Sequence, residues 1–108
     1  MITVTINNDK KTYDADINNR VVKYVDNDYK VTVDYNDTLK IIRENDEYYM
    51  CLKFIPYKTI KCECKLIKEN FNFDINIYTE YVLITDNKIS VKYIVNSNSI
   101  VCLDLEMK

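Results

Sequence analysis

The chain has 108 residues, with 15 basic and 17 acidic side chains and a net charge of −2. That length suits one domain, 1–108, able to fold without disulfide or metal staples, and the charge offers no basic field to neutralise nucleic-acid phosphates. Gly and His are absent, which excludes glycine-rich phosphate loops and His-activated nucleophiles and removes the commonest metal ligand.

Along the chain, apolar and polar residues switch one for one, a pattern that puts alternate side chains on a core face and in water. Strands are predicted over Met1–Ile6, Thr12–Ile17, Arg20–Val25, Tyr29–Tyr35, Thr38–Arg43, Tyr48–Ile55 and Thr59–Ile67. Phe71–Thr85, with a break near Glu80, then Lys88–Val95 and Ser99–Met107 complete the series. Phe71-Asn72-Phe73-Asp74-Ile75-Asn76-Ile77 shows the alternation most cleanly. No segment holds helical spacing for three turns. The links are Asn7-Asn8-Asp9, Asp26-Asn27-Asp28, Asn36-Asp37, Glu44-Asn45-Asp46, Lys68-Glu69-Asn70, Asp86-Asn87 and Asn96-Ser97-Asn98. Asn and Asp tolerate positive φ and bond their own backbone, so they serve turns that Gly would otherwise fill.

A meander of about 8–10 short strands cannot lie open without curling and leaving edges that aggregate. The fold class is therefore all-β, an antiparallel meander closed into a β-barrel, with a two-sheet β-sandwich as the alternative. Pro56 falls between strands, where its missing donor harms a ladder least. Met1–Ile6 already alternates as a strand rather than as a signal peptide, and the longest apolar runs, Tyr48–Leu52 and Tyr81–Ile84, are far short of the ~20 residues of a membrane span. A cytoplasmic location is expected. Thirteen Asn, fourteen Ile and ten Tyr beside one Ala and one Pro read as the bias of a very AT-rich genome.

From Thr38 the chain runs Thr-Leu-Lys-Ile-Ile-Arg-Glu-Asn-Asp, then Tyr-Tyr-Met-Cys-Leu-Lys-Phe, Phe-Asp-Ile-Asn-Ile-Tyr-Thr and Asn-Lys-Ile-Ser-Val-Lys-Tyr-Ile-Val, before a last apolar strand. This succession resembles the YwiB-like family of small bacterial proteins over roughly residues 20–108. The resemblance implies a calycin-type, lipocalin-like β-barrel whose function is not established. Arg43, Thr79 and Tyr93 match polar positions of the family. Glu44–Asp46 and Glu69-Asn70 stand where the family carries glycines, and the chain is shorter than is usual there.

The strand phase selects the same three residues, since Leu39-Ile41-Arg43, Phe71-Phe73-Ile75-Ile77-Thr79 and Ile89-Val91-Tyr93-Val95 each share one face. An inward guanidinium must be paired or sit at a wet barrel mouth. With Tyr and Thr hydroxyls it can hold an anion by bidentate hydrogen bonds; alternatively its stem covers the core while its head reaches solvent. Tyr35 and Tyr48 also carry inward phases, as pocket lining or as core tyrosines with bonded hydroxyls. Cys62 and Cys64 share the inward face of one strand, a spacing unsuited to zinc, and with Cys51 and Cys102 they read as free thiols of a reducing compartment. Asp14-x-Asp16 and Asp26-x-Asp28 lack the Gly and distal Glu of a calcium loop. Lys61 and Lys65 project outward in a lysine-rich stretch, Lys53–Lys68, as a ridge for an acidic partner or as a solvated face.

The sequence thus points to a non-enzymatic barrel without cofactor or metal, binding a small apolar or anionic molecule at one end near Arg43, Thr79 and Tyr93. The alternative is a protein-binding module, such as a phage- or plasmid-encoded inhibitor acting through an outer β-face or a strand edge. No nucleic-acid or membrane partner is expected.

Overall fold

The computed structural model describes residues Met1–Lys108. Eleven strands form one antiparallel sheet without any helix: β1 (Ile2–Ile6), β2 (Asp9–Tyr13), β3 (Ala15–Asn18), β4 (Val21–Asp26), β5 (Tyr29–Asp34), β6 (Leu39–Glu44), β7 (Tyr48–Phe54), β8 (Thr59–Leu66), β9 (Phe71–Ile84), β10 (Lys88–Val95) and β11 (Ser99–Met107). Neighbours in space are neighbours in sequence from β3 to β11, and β11 then pairs with β1, giving the order β2-β1-β11-β10-β9-β8-β7-β6-β5-β4-β3. The two ends of this order, β2 and β3, are joined by Asp14 alone. The sheet is therefore a nearly closed barrel rather than a sandwich.

The predicted strand Thr12–Ile17 is two strands. Residues up to Tyr13 pair with β1, where Tyr13 lies opposite Ile2, and residues from Ala15 pair with β4, where Ala15 lies opposite Tyr24. One continuous stretch thus bonds on opposite sides before and after Asp14. β9 does the same on a larger scale: Phe71–Tyr78 pair with β8 and Ile77–Ile84 with β10. Its register shifts where Tyr81 faces Lys92 and Thr79 faces Tyr93, so Glu80 is the extra residue of a bulge and its carboxylate pairs with Lys92 at 3.1 Å. A bulge kinks a strand and sharpens its twist, so the strand expected to break near Glu80 bends there and runs on unbroken to Ile84.

Asn supplies most of the left-handed corners. Asn7 and Asn8, Asn27, Asn70 and Asn96 all have positive φ, as short hairpin links require. One corner was not evident from the sequence: Asn19 and Arg20 both have positive φ (51° and 61°) in a two-residue hairpin between β3 and β4. Arg20, expected within a strand, compensates through its side chain. Its Nε and Nη2 donate to the Tyr35 carbonyl at 3.2 and 3.0 Å, and the guanidinium covers the Tyr35 ring. Tyr57 also has positive φ (64°), in a turn closed by the Lys58 N–H donating to the Ile55 carbonyl. Pro56 fits the second position of that turn, and Tyr57 occupies the place Gly usually takes.

The inward phase fills the interior. Ile2, Val4, Val22, Val31, Val33, Leu39, Ile41, Leu52, Phe54, Ile77, Ile89, Val91, Leu103 and Leu105 are buried in one cluster, each such side chain contributing about 1.5–3 kcal/mol relative to exposure. Phe54 packs against Tyr93 with centroids 4.8 Å apart and ring planes tilted by 58°. The phase is not kept everywhere: Phe71, in phase with Ile77, is exposed and stacks on Phe73 at 5.8 Å, Ile6 and Ile17 are exposed on inward phases, and Thr3 and Ser90 are buried on outward ones.

Candidate functional site

The predicted polar residues fall into three separate places. Thr79 and Tyr93 face each other across β9 and β10 in the packed interior beside Phe54. The Thr79 backbone is held by the β7–β8 connection: Tyr57 N–H donates to its carbonyl at 2.7 Å, and its own N–H donates to the Lys58 carbonyl at 3.4 Å. Its Oγ1 is fully buried without a hydrogen-bond partner. Burial pushes the Tyr93 phenol up to about 12. Tyr35 lies elsewhere, its hydroxyl on the Met107 sulfur at 3.5 Å.

Arg43 lies at the other end of the interior. Leu39, four residues earlier on β6, is the residue opposite Phe54, so Arg43 stands about 13 Å along the strand from that level. Its Nη1 donates to Asp26 Oδ2 at 3.0 Å, and its guanidinium lies 4.2 Å from the centre of the Tyr29 ring. The side chains are 30% and 19% exposed, a barrel mouth rather than a dry core. Tyr48 meets Tyr29 edge-on at 6.3 Å and directs its hydroxyl to the Met50 sulfur; burial, then Cys64, push its phenol up to about 12. The structure thus joins Arg43 with Tyr48 but not with Thr79, Tyr93 or Tyr35. Of the ridge lysines, Lys61 is exposed, whereas Lys65 pairs with Glu63 at 3.4 Å and covers the Tyr49 ring.

Sequence reasoning missed Tyr13, Tyr24 and Asp26, which the fold gathers beside Arg43. The rings of Tyr13 and Tyr24 are 4.7 Å apart. Burial first, then the neighbouring Tyr13 and Asp26, push the Tyr24 phenol up to about 12. Tyr13 is raised by burial and then by the nearby Asp26 carboxylate, which accepts a hydrogen bond from Arg43. The available signal was phase: Tyr13 and Ala15 alternate as Val22 and Tyr24 do, which puts both rings on one face.

Beside this cluster the wall is breached. The β3–β4 ladder ends at Ala15 opposite Tyr24, and Tyr13 and Thr12 pair with β1 alone. Thr12 and Tyr13 on one side, and Val25 and Asp26 on the other, have no partner across the gap. The result is a concavity of about 880 Å³, walled by Tyr13, Tyr24, Val25 and Val31 and rimmed by Asp14, Asp16, Lys23, Lys30 and Glu44. A smaller, wholly polar hollow of about 330 Å³ adjoins it, sharing Lys30 and Glu44.

No family model matches the chain, and no curated protein matches its sequence. Among solved structures it is similar to the ywiB protein from Bacillus subtilis, at 11% identity over 99% of this chain and 88% of that chain, with a TM-score of 0.48.

No group of three or more metal-ligating side chains converges anywhere in the structure. The breach carries phenols, carboxylates and ammonium groups, the chemistry of recognition by stacking and ion pairing. The four thiols are free, Cys62 and Cys64 buried, Cys51 partly buried and Cys102 exposed. Burial raises the Cys62 and Cys64 thiols above their ordinary value, opposite to the shift an activated nucleophile needs.

Proposed function

We propose that this chain is a non-enzymatic binding barrel that takes a small organic molecule in the breach between β2 and β4. The observation that carries the reading is the concavity of about 880 Å³ with two phenol rings in its wall, within the ~300–1,000 Å³ range of small-molecule sites. Arg43 and Tyr48 act from behind: Arg43 holds the Asp26 carboxylate beside Tyr13, and Tyr48 packs edge-on against the Tyr29 ring that covers Arg43. Thr79, Tyr93 and Tyr35 serve the interior that holds this wall in shape. The segment order from Thr38 to the last strand supports placing the barrel with the YwiB-like, calycin-type proteins, and its four free thiols suit a reducing, cytoplasmic setting.

The test is a fragment titration followed by amide NMR. Saturable shifts confined to Thr12–Asp16 and Lys23–Val25, lost in Tyr24→Ala, are expected. Shifts that never saturate, or that cluster on another face, overturn the reading.

A free strand edge favours a second reading, recognition of a protein partner. The side of β3 turned away from β4 has no neighbouring strand, and such an edge accepts an added strand. A stoichiometric partner captured with the tagged chain, lost on Ile17→Pro and kept on reversing Lys61 and Lys65 to Glu, would favour the edge over the lysine ridge.

A further inference from the structure

An inward Arg suggests an anionic ligand, but the charges around the breach run the other way. Arg43 already has its carboxylate in Asp26, and the Tyr29 ring covers its guanidinium. On the rim, Asp16 stands opposite Lys23 and Glu44 opposite Lys30 across their ladders, so these four largely cancel. Asp14, at the strand junction, has no basic residue opposite. The adjoining hollow adds Asp28, Asp46 and Glu47 against Lys68, and Lys68 is taken by Glu47 at 2.9 Å. Over both hollows the acidic side chains exceed the basic ones, with Asp14, Asp28 and Asp46 left over. Tyr13 and Tyr24 line the larger hollow together with Asp14, and aromatic faces attract cations. A multivalent metal ion would need several oxygen ligands converging on one point, and no such group is present.

We infer that the ligand of the breach is an organic cation, an ammonium or guanidinium group on an apolar body, with the body against Tyr13 and Tyr24 and the charge toward Asp14. This rests on the breach being the ligand site. The body takes the place of water over the phenol rings, which are neutral at pH 7 as ordinary phenols are, and burial raises Tyr24 and Tyr13 further from ionising. The cation completes the one rim carboxylate that the fold leaves without a counter-charge.

Three probes of one shape separate the ideas: benzylammonium, benzyl alcohol and benzoate, each titrated against the full chain with amide shifts as the readout. Benzylammonium should saturate shifts at Tyr13, Asp14 and Tyr24, benzyl alcohol bind more weakly and benzoate least. Asp14→Asn should weaken benzylammonium by roughly fivefold and leave benzyl alcohol unchanged, and added salt should weaken benzylammonium alone. Equal binding of the ammonium and the alcohol, tighter binding of benzoate, or an Asp14→Asn variant that binds benzylammonium normally overturns the charge assignment while keeping the breach as a site. If no probe saturates at the breach, the reading of it as a ligand site falls, and this inference with it.

Discussion

The wall of this barrel opens twice, and only one opening is sealed by the chain itself. Between β7 and β8 the ladder runs only from Tyr48 opposite Leu66 to Met50 opposite Cys64. Beyond it the Cys62 thiol enters the gap, its sulfur accepting from the Lys53 N–H at 3.4 Å, and the Ile55–Lys58 turn closes over Thr79. Between β2 and β4 no side chain or turn does the same, and the facing backbone borders the concavity of about 880 Å³. A polar backbone must find partners somewhere. The first opening finds them in a small buried thiol and a tight turn, whereas the second leaves them to water or to a ligand. A gap in a ladder is thus a site only where the sequence provides no plug.

Truncation on the two sides tests this contrast most strongly. Phe54→Ala, beside the sealed opening, should lower the unfolding free energy by about 3–5 kcal/mol in urea melts, and Tyr24→Ala, at the open one, by about 2 kcal/mol. Equal losses would mean the breach is core. Alkaline pH comes next. Tyr24 and Tyr93 are raised from an ordinary value of 10.0 to about 12. The folded chain therefore keeps protons that the unfolded chain releases. Their stabilisation is whole below pH 10 and is lost as pH rises toward 12, about 2 kcal/mol for the pair between pH 10 and 11. The raised Cys62 and Cys64 thiols act in the same direction, beginning near pH 9. Urea midpoints against pH should show this slope, and Tyr93→Phe should flatten it.

Cys62→Ala removes the plug and orphans the Lys53 amide, a cost of about 1–2 kcal/mol. Hydrogen exchange at Lys53 should quicken while that at Val25 stays the same; parallel changes would dissolve the distinction between the openings. The smallest effect concerns Thr79. Replacing its buried, unpartnered hydroxyl with a methyl group, Thr79→Val, should raise stability by about 1 kcal/mol, and a loss of stability would show that the hydroxyl has a partner.

The alternation made the barrel legible because a half-buried strand must place every second residue in the core. Leu39 and Ile41, Ile89 and Val91, and Cys62 and Cys64 are all buried as their phase requires. The irregularity near Glu80 was legible for the same reason, although the strand expected to break there continues through a bulge. The junction at Asp14 was not, since Thr12–Ile17 alternates without interruption and only the identity of the pairing strand changes there. Nor did phase reveal how far apart inward residues lie along the barrel. Arg43, Thr79 and Tyr93 share the inner face, yet strand offset gives Arg43 to Asp26 and Tyr29 and leaves Thr79 with Tyr93. Tyr13 and Tyr24 become neighbours through the β3–β4 hairpin, which sets Ala15 opposite Tyr24, and its corner includes Arg20, expected within a strand.

The β1–β11 ladder, Ile2 opposite Met107 through Ile6 opposite Leu103, also orders events in time. On the ribosome, the β1–β2 hairpin emerges early and waits through the making of nine further strands for its second neighbour. Until then it carries an open edge of the kind that recruits wrong partners. Closure is a late, high-contact-order step, and nascent chains stalled just before β11 should be the species that holdase chaperones retain.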